Sequence, residues 1–417
     1  MNTSHIIKNM YLLYGIYMFL IALMTDMSVG ILLLTWLVLL VCYGVFRLGY
    51  HSKRDTVSNN QEIDEKDSFF YKHPSILLIM SALVIVFAII NSIFYAGMTP
   101  ARILLNLRNN VSVYYQYQNY SKDNAIASMS ILRKAPYILT QYYNAMMLFC
   151  GIPFMVFGNF KKKVKIIGSI LVTFGIAYFG IARGTSYEYF QLAVVWIYVA
   201  MRKMKPGRAV LSNLIKYILI SVLLFLAINI FFSNVQSRGV DISYVSFPNI
   251  HFDDRDILPS ISKTLCIPIS WLYGYFGFGQ YYNARFISDV WLKNEWTLIG
   301  GFFPNGLRMA GIQNIRTAMD NLIDVGVKWH PDFSLCFYEF GIIVLMIFIW
   351  WLGKITKKTA SRDNVISSHF IQIMVLLQMM SFPIGNFIFV AGYMELTAIT
   401  ALMLYIKDNC NIKITFK

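Results

Sequence analysis

Arg183 and Gly184 lie between two apolar stretches of the chain, and an arginine at such a position can bind a phosphate group. A guanidinium group presents a planar fork that grips phosphate oxygens with two hydrogen bonds and does not deprotonate. The next apolar stretch would start as a helix, whose free N–H groups and positive dipole also favour an anion. Two ordinary alternatives stand beside this interpretation: Arg183 reaches lipid headgroups, or it pairs with Glu188.

His330 precedes another apolar stretch and is followed closely by Asp332. A histidine at the mouth of a cavity can act as a general base, although a capping or interfacial position is equally ordinary. Glu339 falls inside that apolar stretch, and Glu395 falls inside the last one. A carboxylate within a membrane needs a partner or a water-filled cavity, so both positions are candidates for function.

The segment 271–282 is rich in aromatic residues and could form a platform on which sugar rings stack, or an aromatic belt at the membrane interface. The candidate platform residues are Trp271, Tyr275 and Tyr282. An Asp-x-Asp pattern within 253–256 can hold a divalent cation, but Arg255 between the acids favours internal pairing. We therefore assign no metal ligand.

The elements that must position these residues are apolar runs of about 18–22 residues, the length that crosses about 30 Å of hydrocarbon as a helix. The chain has 417 residues, of which 57% are hydrophobic and 14% charged, whereas soluble domains average about 45–50% and about 25%. The sequence predicts an all-α integral membrane protein, a single polytopic domain over 1–417 with about ten transmembrane helices. The predicted spans are 10–28, 29–48, 74–98, 136–158, 165–182, 185–201, 213–233, 333–353, 366–385 and 387–406.

Every second loop between these spans is basic, which is the pattern of cytoplasmic loops. The segments 49–73, 159–164, 202–212 and 354–365 are therefore expected inside, with both termini cytoplasmic. These loops account for most of the net charge of +15, so no nucleic-acid partner is expected. Residues 234–332 become one long outside loop, and a loop of that length usually has a function.

The basic residues expected outside are mostly arginine, whereas those expected inside are mostly lysine. Membrane topology requires positively charged residues in the inside loops, but it does not require arginine in the outside loops. An outward-facing site for a phosphorylated ligand would explain this excess of arginine. For any single arginine, however, an ion pair with an acidic residue of the same loop is the commoner explanation. The candidate substrate-binding arginines of the long loop are Arg238, Arg255, Arg285, Arg308 and Arg316.

Three features of this layout occur together in one group of bacterial membrane enzymes. They are Ala182-Arg183-Gly184-Thr185 after the fifth span, the long outside loop before a late span, and Trp329-His330-Pro331-Asp332 leading into Phe337-Tyr338-Glu339-Phe340-Gly341. With them the chain resembles the O-antigen polymerases, or oligosaccharide repeat-unit polymerases, and more distantly the O-antigen ligases. The resemblance covers the region 160–355. Some of these polymerases carry an arginine followed eleven residues later by glycine, and no outside arginine here has that spacing.

The resemblance implies the C-type glycosyltransferase-like polymerase and ligase architecture, and it implies an activity. An acceptor hydroxyl on a lipid-linked repeat unit would attack the anomeric carbon of a growing glycan, and undecaprenyl pyrophosphate would leave. Arginines would neutralise the pyrophosphate, and the catalytic candidates are His330, Arg183 and Glu339. No cofactor is implied. The implied partners are the undecaprenyl-pyrophosphate-linked oligosaccharide, membrane lipid, and a flippase and chain-length regulator of the same pathway in the bacterial inner membrane.

Three other classes remain open at this point. A ligase shares the layout and the chemistry, so fold-level analogy cannot separate it from a polymerase. A lipid-oligosaccharide flippase or transporter often shows internal repeats, which are not visible here. A metal-dependent glycosyltransferase would rest on the Asp-x-Asp pattern alone. Nucleotide-binding and serine hydrolase motifs are absent from the sequence, which argues against ATP hydrolysis and serine hydrolase chemistry.

Overall fold

The computed structural model describes residues 3–22, 27–52, 69–108, 113–126, 128–203, 279–293, 304, 331–360, 366–389 and 391–410. These residues form helices joined by turns and contain no β-strand, which confirms the predicted all-α class. The helices are α1 Thr3–Ala22, α2 Val29–His51, α3 Phe69–Lys72, α4 Pro74–Ala96, α5 Pro100–Arg108, α6 Val113–Asp123, α7 Ile131–Met146, α8 Ile152–Phe157, α9 Lys162–Arg183, α10 Tyr187–Lys203, α11 Asp332–Ala360, α12 Ile366–Ser381 and α13 Gly392–Cys410.

Two π-helical segments interrupt the α-helical geometry. Met147–Gly151 joins α7 to α8, so the predicted span 136–158 is a composite of three pieces. Residues 279–285 are helical and continue directly into the π-helical segment Phe286–Leu292. Widened turns of this kind occur often at functional sites.

Within the described residues, four helices are long and apolar enough to cross a membrane, namely α2, α4, α9 and α11. They correspond to the predicted spans 29–48, 74–98, 165–182 and 333–353. α12 is apolar but has only 16 residues, and the predicted span 213–233 lies outside the described residues. Four long apolar helices in one all-helical chain are typical of an integral membrane protein.

α2 illustrates how these helices divide between lipid and protein. Leu33, Leu37 and Val41, spaced four residues apart, are more than half exposed. Leu39 and Phe46, on the other side, are fully buried. A soluble protein rarely leaves such an apolar stripe in water, whereas lipid hydrocarbon would cover it.

Glycines bring α2 and α11 into backbone contact. Gly49 of α2 lies against the carbonyl oxygen of Trp350, and Gly353 of α11 lies against the carbonyl oxygen of Phe46. A Cβ atom at either glycine would collide with that backbone oxygen. Small residues at such crossings let membrane helices approach closely and gain dispersion contacts, so this pair of glycines fixes the α2–α11 interface.

We expect Gly49→Ala and Gly44→Ala, two substitutions on the same helix, to act in opposite directions. A Cβ at Gly49 forces backbone apart and should cost about 1–3 kcal/mol. A Cβ at Gly44 meets nothing within 4 Å, and alanine in a helix is favoured over glycine by about 0.5–1 kcal/mol. Thermal unfolding of the purified protein in detergent measures both. Equal melting temperatures for the two variants would contradict the close α2–α11 contact.

α12 is the central helix of the described bundle. Every residue from its second position onward is buried, and it packs against α1, α10, α11 and α13. Its polar side chains bond inside the protein: His369 Nδ1 shares a hydrogen bond of 2.8 Å with the Tyr198 hydroxyl. Gln372 Oε1 accepts a hydrogen bond of 2.9 Å from Arg202. Protein therefore surrounds α12 on all sides.

α11 is broken at Gly341, where the sequence predicts a continuous span. Gly341 adopts φ 79° and ψ 161°, a conformation that is essentially restricted to glycine. The break separates a short first part of α11, which begins at Asp332, from a longer second part. Glu339, two residues before the break, is half-buried.

Candidate functional site

The turn between α9 and α10 places Arg183 at the end of a long apolar helix. α9 ends because Gly184 adopts a left-handed conformation, φ 63°, which glycine accepts at no steric cost. A Cβ at Gly184 would lie only 2.9 Å from the backbone nitrogen of Tyr114. Since Tyr114 belongs to α6, this helix lies directly against the turn, and Arg183 is held among α6, α9 and α10.

The Arg183 guanidinium is bound on two sides. Its Nη1 donates to Glu188 Oε1 at 2.9 Å, and its Nη2 donates to the Tyr117 hydroxyl at 3.3 Å. Glu188 Oε2 accepts a hydrogen bond of 2.7 Å from Thr185. Only 3% of the Glu188 side chain and 21% of the Arg183 side chain are exposed. Of the sequence alternatives for Arg183, the structure therefore contains the ion pair with Glu188.

Part of this site keeps unused hydrogen-bonding capacity. Arg183 Nε and the Ser186 hydroxyl are buried, and neither has a hydrogen-bond partner among the described residues. Buried donors without partners are rare in folded proteins and call for a ligand, a water or another explanation. Glu188 is bound by Nη1, so an anion could use Nε and the Ser186 hydroxyl without displacing Glu188. It would then lie beside the N-terminus of α10, where the dipole favours negative charge.

Aromatic residues close the other side of the ion pair. The Tyr187 hydroxyl donates to the backbone carbonyl of Phe387 at 2.6 Å, and the two rings stack at 5.3 Å. Tyr393, a buried residue of α13, interacts electrostatically with Glu188 and Arg183. The connection between α12 and α13 is therefore one wall of the Arg183 site.

The same connection holds a second polar group, the Asp332 carboxylate at the start of α11. The backbone N–H of Asp332 donates to the carbonyl of Gly385 at 3.0 Å. Its Oδ2 accepts a hydrogen bond of 2.9 Å from Gln378 Nε2, and the backbone N–H of Phe387 also interacts with the carboxylate. Phe387 thus contacts both Tyr187, next to Arg183, and Asp332. The 382–389 segment therefore lies close to both the Arg183 site and Asp332.

The helical residues 279–285 flank this segment as well. Asn283 Nδ2 donates to the carbonyl of Pro383 at 2.9 Å, and Asn283 Oδ1 accepts from the Ser334 hydroxyl at 3.1 Å. Gly279 lies against the backbone of Ile384, where a side chain would collide. Part of the predicted long outside loop therefore packs directly on the ends of α11 and α12.

The other sequence candidates have different outcomes. Arg285 is paired with Asp289 and also donates to the Tyr281 hydroxyl at 3.1 Å, which is the ordinary ion pairing expected for a single outside arginine. Tyr282 is half-buried against Tyr281, with ring centroids 5.6 Å apart. The remaining candidates lie outside the described residues: His330, Trp271, Tyr275, Arg238, Arg255, Arg308 and Arg316.

Glu395 is a correction. The sequence places it inside the last span, where its charge would need a partner. In the structure it lies in the first turn of α13 and is exposed. The dipole at a helix N-terminus favours an acidic side chain, so Glu395 needs no functional explanation.

The sequence did not assign a role to Tyr117, Thr185 or Gln378, although each contacts a buried charge. Tyr117 belongs to a cluster of tyrosines at 114–120, in the segment between the predicted spans 74–98 and 136–158. That cluster is the feature of the sequence that could have indicated a role for Tyr117. Thr185 was visible as the residue after Arg183-Gly184. Gln378 carried the weaker signal of an amide within an apolar stretch.

Comparison with known proteins does not assign the chain to a family. No known protein family, curated protein or solved structure matches the chain. Within the part of the chain that the structure describes, no group of three or more His, Cys, Asp or Glu side chains could hold a metal ion.

Proposed function

We propose that this protein polymerises lipid-linked oligosaccharide repeat units on the outer face of the cytoplasmic membrane. It transfers the growing glycan from undecaprenyl pyrophosphate to a new lipid-linked repeat. The observation that carries the proposal is the half-buried Arg183 at the end of α9, whose buried Nε–H is unpartnered among the described residues. A phosphate group is the ligand that best matches a guanidinium with spare donors.

The proposal places ten spans in the membrane, both termini in the cytoplasm and 234–332 outside. α9 supports this orientation, because it begins at the exposed lysines 161–163 and ends at Arg183. Its 22 residues correspond to about 33 Å of helix, enough to cross the hydrocarbon. If the lysines face the cytoplasm, Arg183 lies at the outer interface, where lipid pyrophosphate is found.

In the proposed reaction the acceptor hydroxyl oxygen bonds to the anomeric carbon while the bond from that carbon to pyrophosphate breaks. Negative charge then grows on the leaving pyrophosphate, and Arg183 stabilises it. The hydroxyl proton passes to a general base, for which His330 is the first candidate and Glu339 the second. The outside arginines add positive charge near the pyrophosphate.

Deletion of the gene, followed by a gel of the surface polysaccharide, tests this function against its rivals. Loss of a polymerase leaves single repeat units attached to the final acceptor. Loss of a ligase leaves no repeats attached, and loss of a flippase leaves lipid-linked repeats inside the cell. A ladder of normal length in the deletion strain would reject the proposal.

Topology gives an independent prediction. In a variant without the five native cysteines, Asn59→Cys and Asn294→Cys should differ in their reaction with a membrane-impermeant thiol reagent. Position 294 should be labelled in intact cells, and position 59 only after lysis, because the flanking basic loop keeps it inside. Labelling of both positions in intact cells would contradict the proposed orientation, and it would also contradict the outward-facing site that depends on that orientation.

A further inference from the structure

Asp332 is a buried carboxylate with one oxygen atom that is unpartnered among the described residues. It is fully buried at the start of α11. The carboxylate accepts from Gln378 through Oδ2 and interacts with the backbone N–H of Phe387, while Oδ1 meets no hydrogen-bond criterion with any described residue. No lysine, arginine or histidine in the described ranges forms an ion pair with it. A buried carboxylate without a counter-charge is costly, so Asp332 either takes up a proton or binds a cation.

Two glutamine side chains on elements that meet near the first turn of α11 also have unpartnered atoms. Gln378 Oε1 is buried and unpartnered in the described structure, and so are both amide atoms of Gln280. Gln280 lies one helical turn before Asn283, which bonds to Ser334 in the first turn of α11. Two amide oxygens without donors, Gln378 Oε1 and Gln280 Oε1, therefore accompany the unpartnered Oδ1 of the Asp332 carboxylate.

The composition of this cluster selects the kind of cation. All the free acceptors are oxygen atoms, which suits a hard ion rather than a transition metal. A single carboxylate supplies one negative charge, whereas calcium and magnesium sites usually draw on more carboxylates or on several waters. The accessible area of each of these atoms is close to zero, so a bound ion would carry little or no water with it. Sodium sites in membrane proteins use such oxygens where helices are interrupted.

We propose that Asp332, Gln378 and Gln280 bind a buried sodium ion that joins the ends of α11 and α12 to the helical residues 279–285. Rotation of the Gln378 amide by half a turn exchanges its nitrogen and oxygen without changing its shape. The ion-bound form would therefore replace the Gln378–Asp332 hydrogen bond by two oxygen–sodium contacts. This inference does not depend on the proposed polymerase activity.

Thermal unfolding of the full-length protein in detergent tests the site. We compare sodium chloride, potassium chloride and choline chloride at one ionic strength. Saturating sodium should raise the melting temperature by about 2–5 °C over choline, because a ligand that binds only the folded state stabilises it. Potassium should raise it less. Asp332→Asn should abolish the difference, while Asp289→Asn, which removes an acid already paired with Arg285 and Lys293, should keep it.

Gln280→Met separates a binding role from a structural one. Methionine has a similar shape and leaves no unsatisfied amide, so this variant should be at least as stable as the wild type in choline. It should nevertheless lose most of the sodium response. Binding of radioactive sodium to the purified variants gives the same comparison even if Asp332→Asn fails to fold. Equal melting temperatures of the wild type in sodium and choline, or unchanged sodium binding in Gln280→Met, would overturn the proposal and leave buried water as the occupant.

Discussion

Arg183→Ala is expected to reduce polymer formation by about 100-fold or more, since removal of one group that stabilises a developing negative charge has effects of that size. Arg183→Lys should also lose much of the activity, because an ammonium group is a point charge and cannot replace the planar fork. The measurement is polymer length and amount, normalised to the quantity of protein inserted in the membrane.

The ion pair between Arg183 and Glu188 allows a control that separates loss of activity from loss of stability. Removing Arg183 alone leaves the Glu188 carboxylate, only 3% exposed, without its counter-charge, and this can destabilise the protein by about 3–5 kcal/mol. The double variant Arg183→Ala with Glu188→Gln removes both charges and should restore normal abundance. We expect it to remain inactive, whereas Glu188→Gln alone should keep most activity. A double variant with normal polymer per inserted molecule would reduce Arg183 to a structural ion pair.

His330→Ala is expected to lower polymerisation by about 100- to 10,000-fold, the usual contribution of a general base. Lipid-linked repeats should still bind, because the pyrophosphate contacts remain. Loss of a capping histidine would instead lower protein abundance, at a cost of about 1 kcal/mol. His73→Ala is the matched control, since His73 is exposed at the start of α4 and makes no side-chain capping bond.

The deciding quantity for His330 is again polymer made per inserted molecule. If that ratio is unchanged in His330→Ala, the histidine is structural. Glu339→Gln would then be the next variant to measure, because Glu339 is half-buried close to the break in α11.

The long apolar helices could be predicted well from the sequence. The predicted span 74–98 is α4, Pro74–Ala96, and the predicted span 165–182 is α9, Lys162–Arg183. Hydrocarbon thickness imposes the length of such helices, so composition alone carries the information. The pairing of Arg183 with Glu188 could also be foreseen, because the two residues are five positions apart.

Contacts between remote segments could not be predicted in this way. Tyr117 is 66 positions from Arg183, and Gln378 is 46 positions from Asp332. Neither pair leaves a periodic signal, since both depend on how α6 and α12 pack in three dimensions. The break at Gly341 was hidden for another reason: glycine is common inside membrane helices, and its presence alone does not show that the helix stops there.

The burial of α12 on every side has a consequence for how the protein is made. A segment that enters the bilayer alone must be apolar enough to partition from the translocation channel into lipid, and polar side chains near its centre oppose that step. α12 carries His369, Gln372 and Gln378, whose hydrogen-bond partners lie on other helices. We therefore expect α12 to depend on its neighbours during biosynthesis, so that it would integrate poorly in chains that lack α10 and α11, the helices that carry these partners.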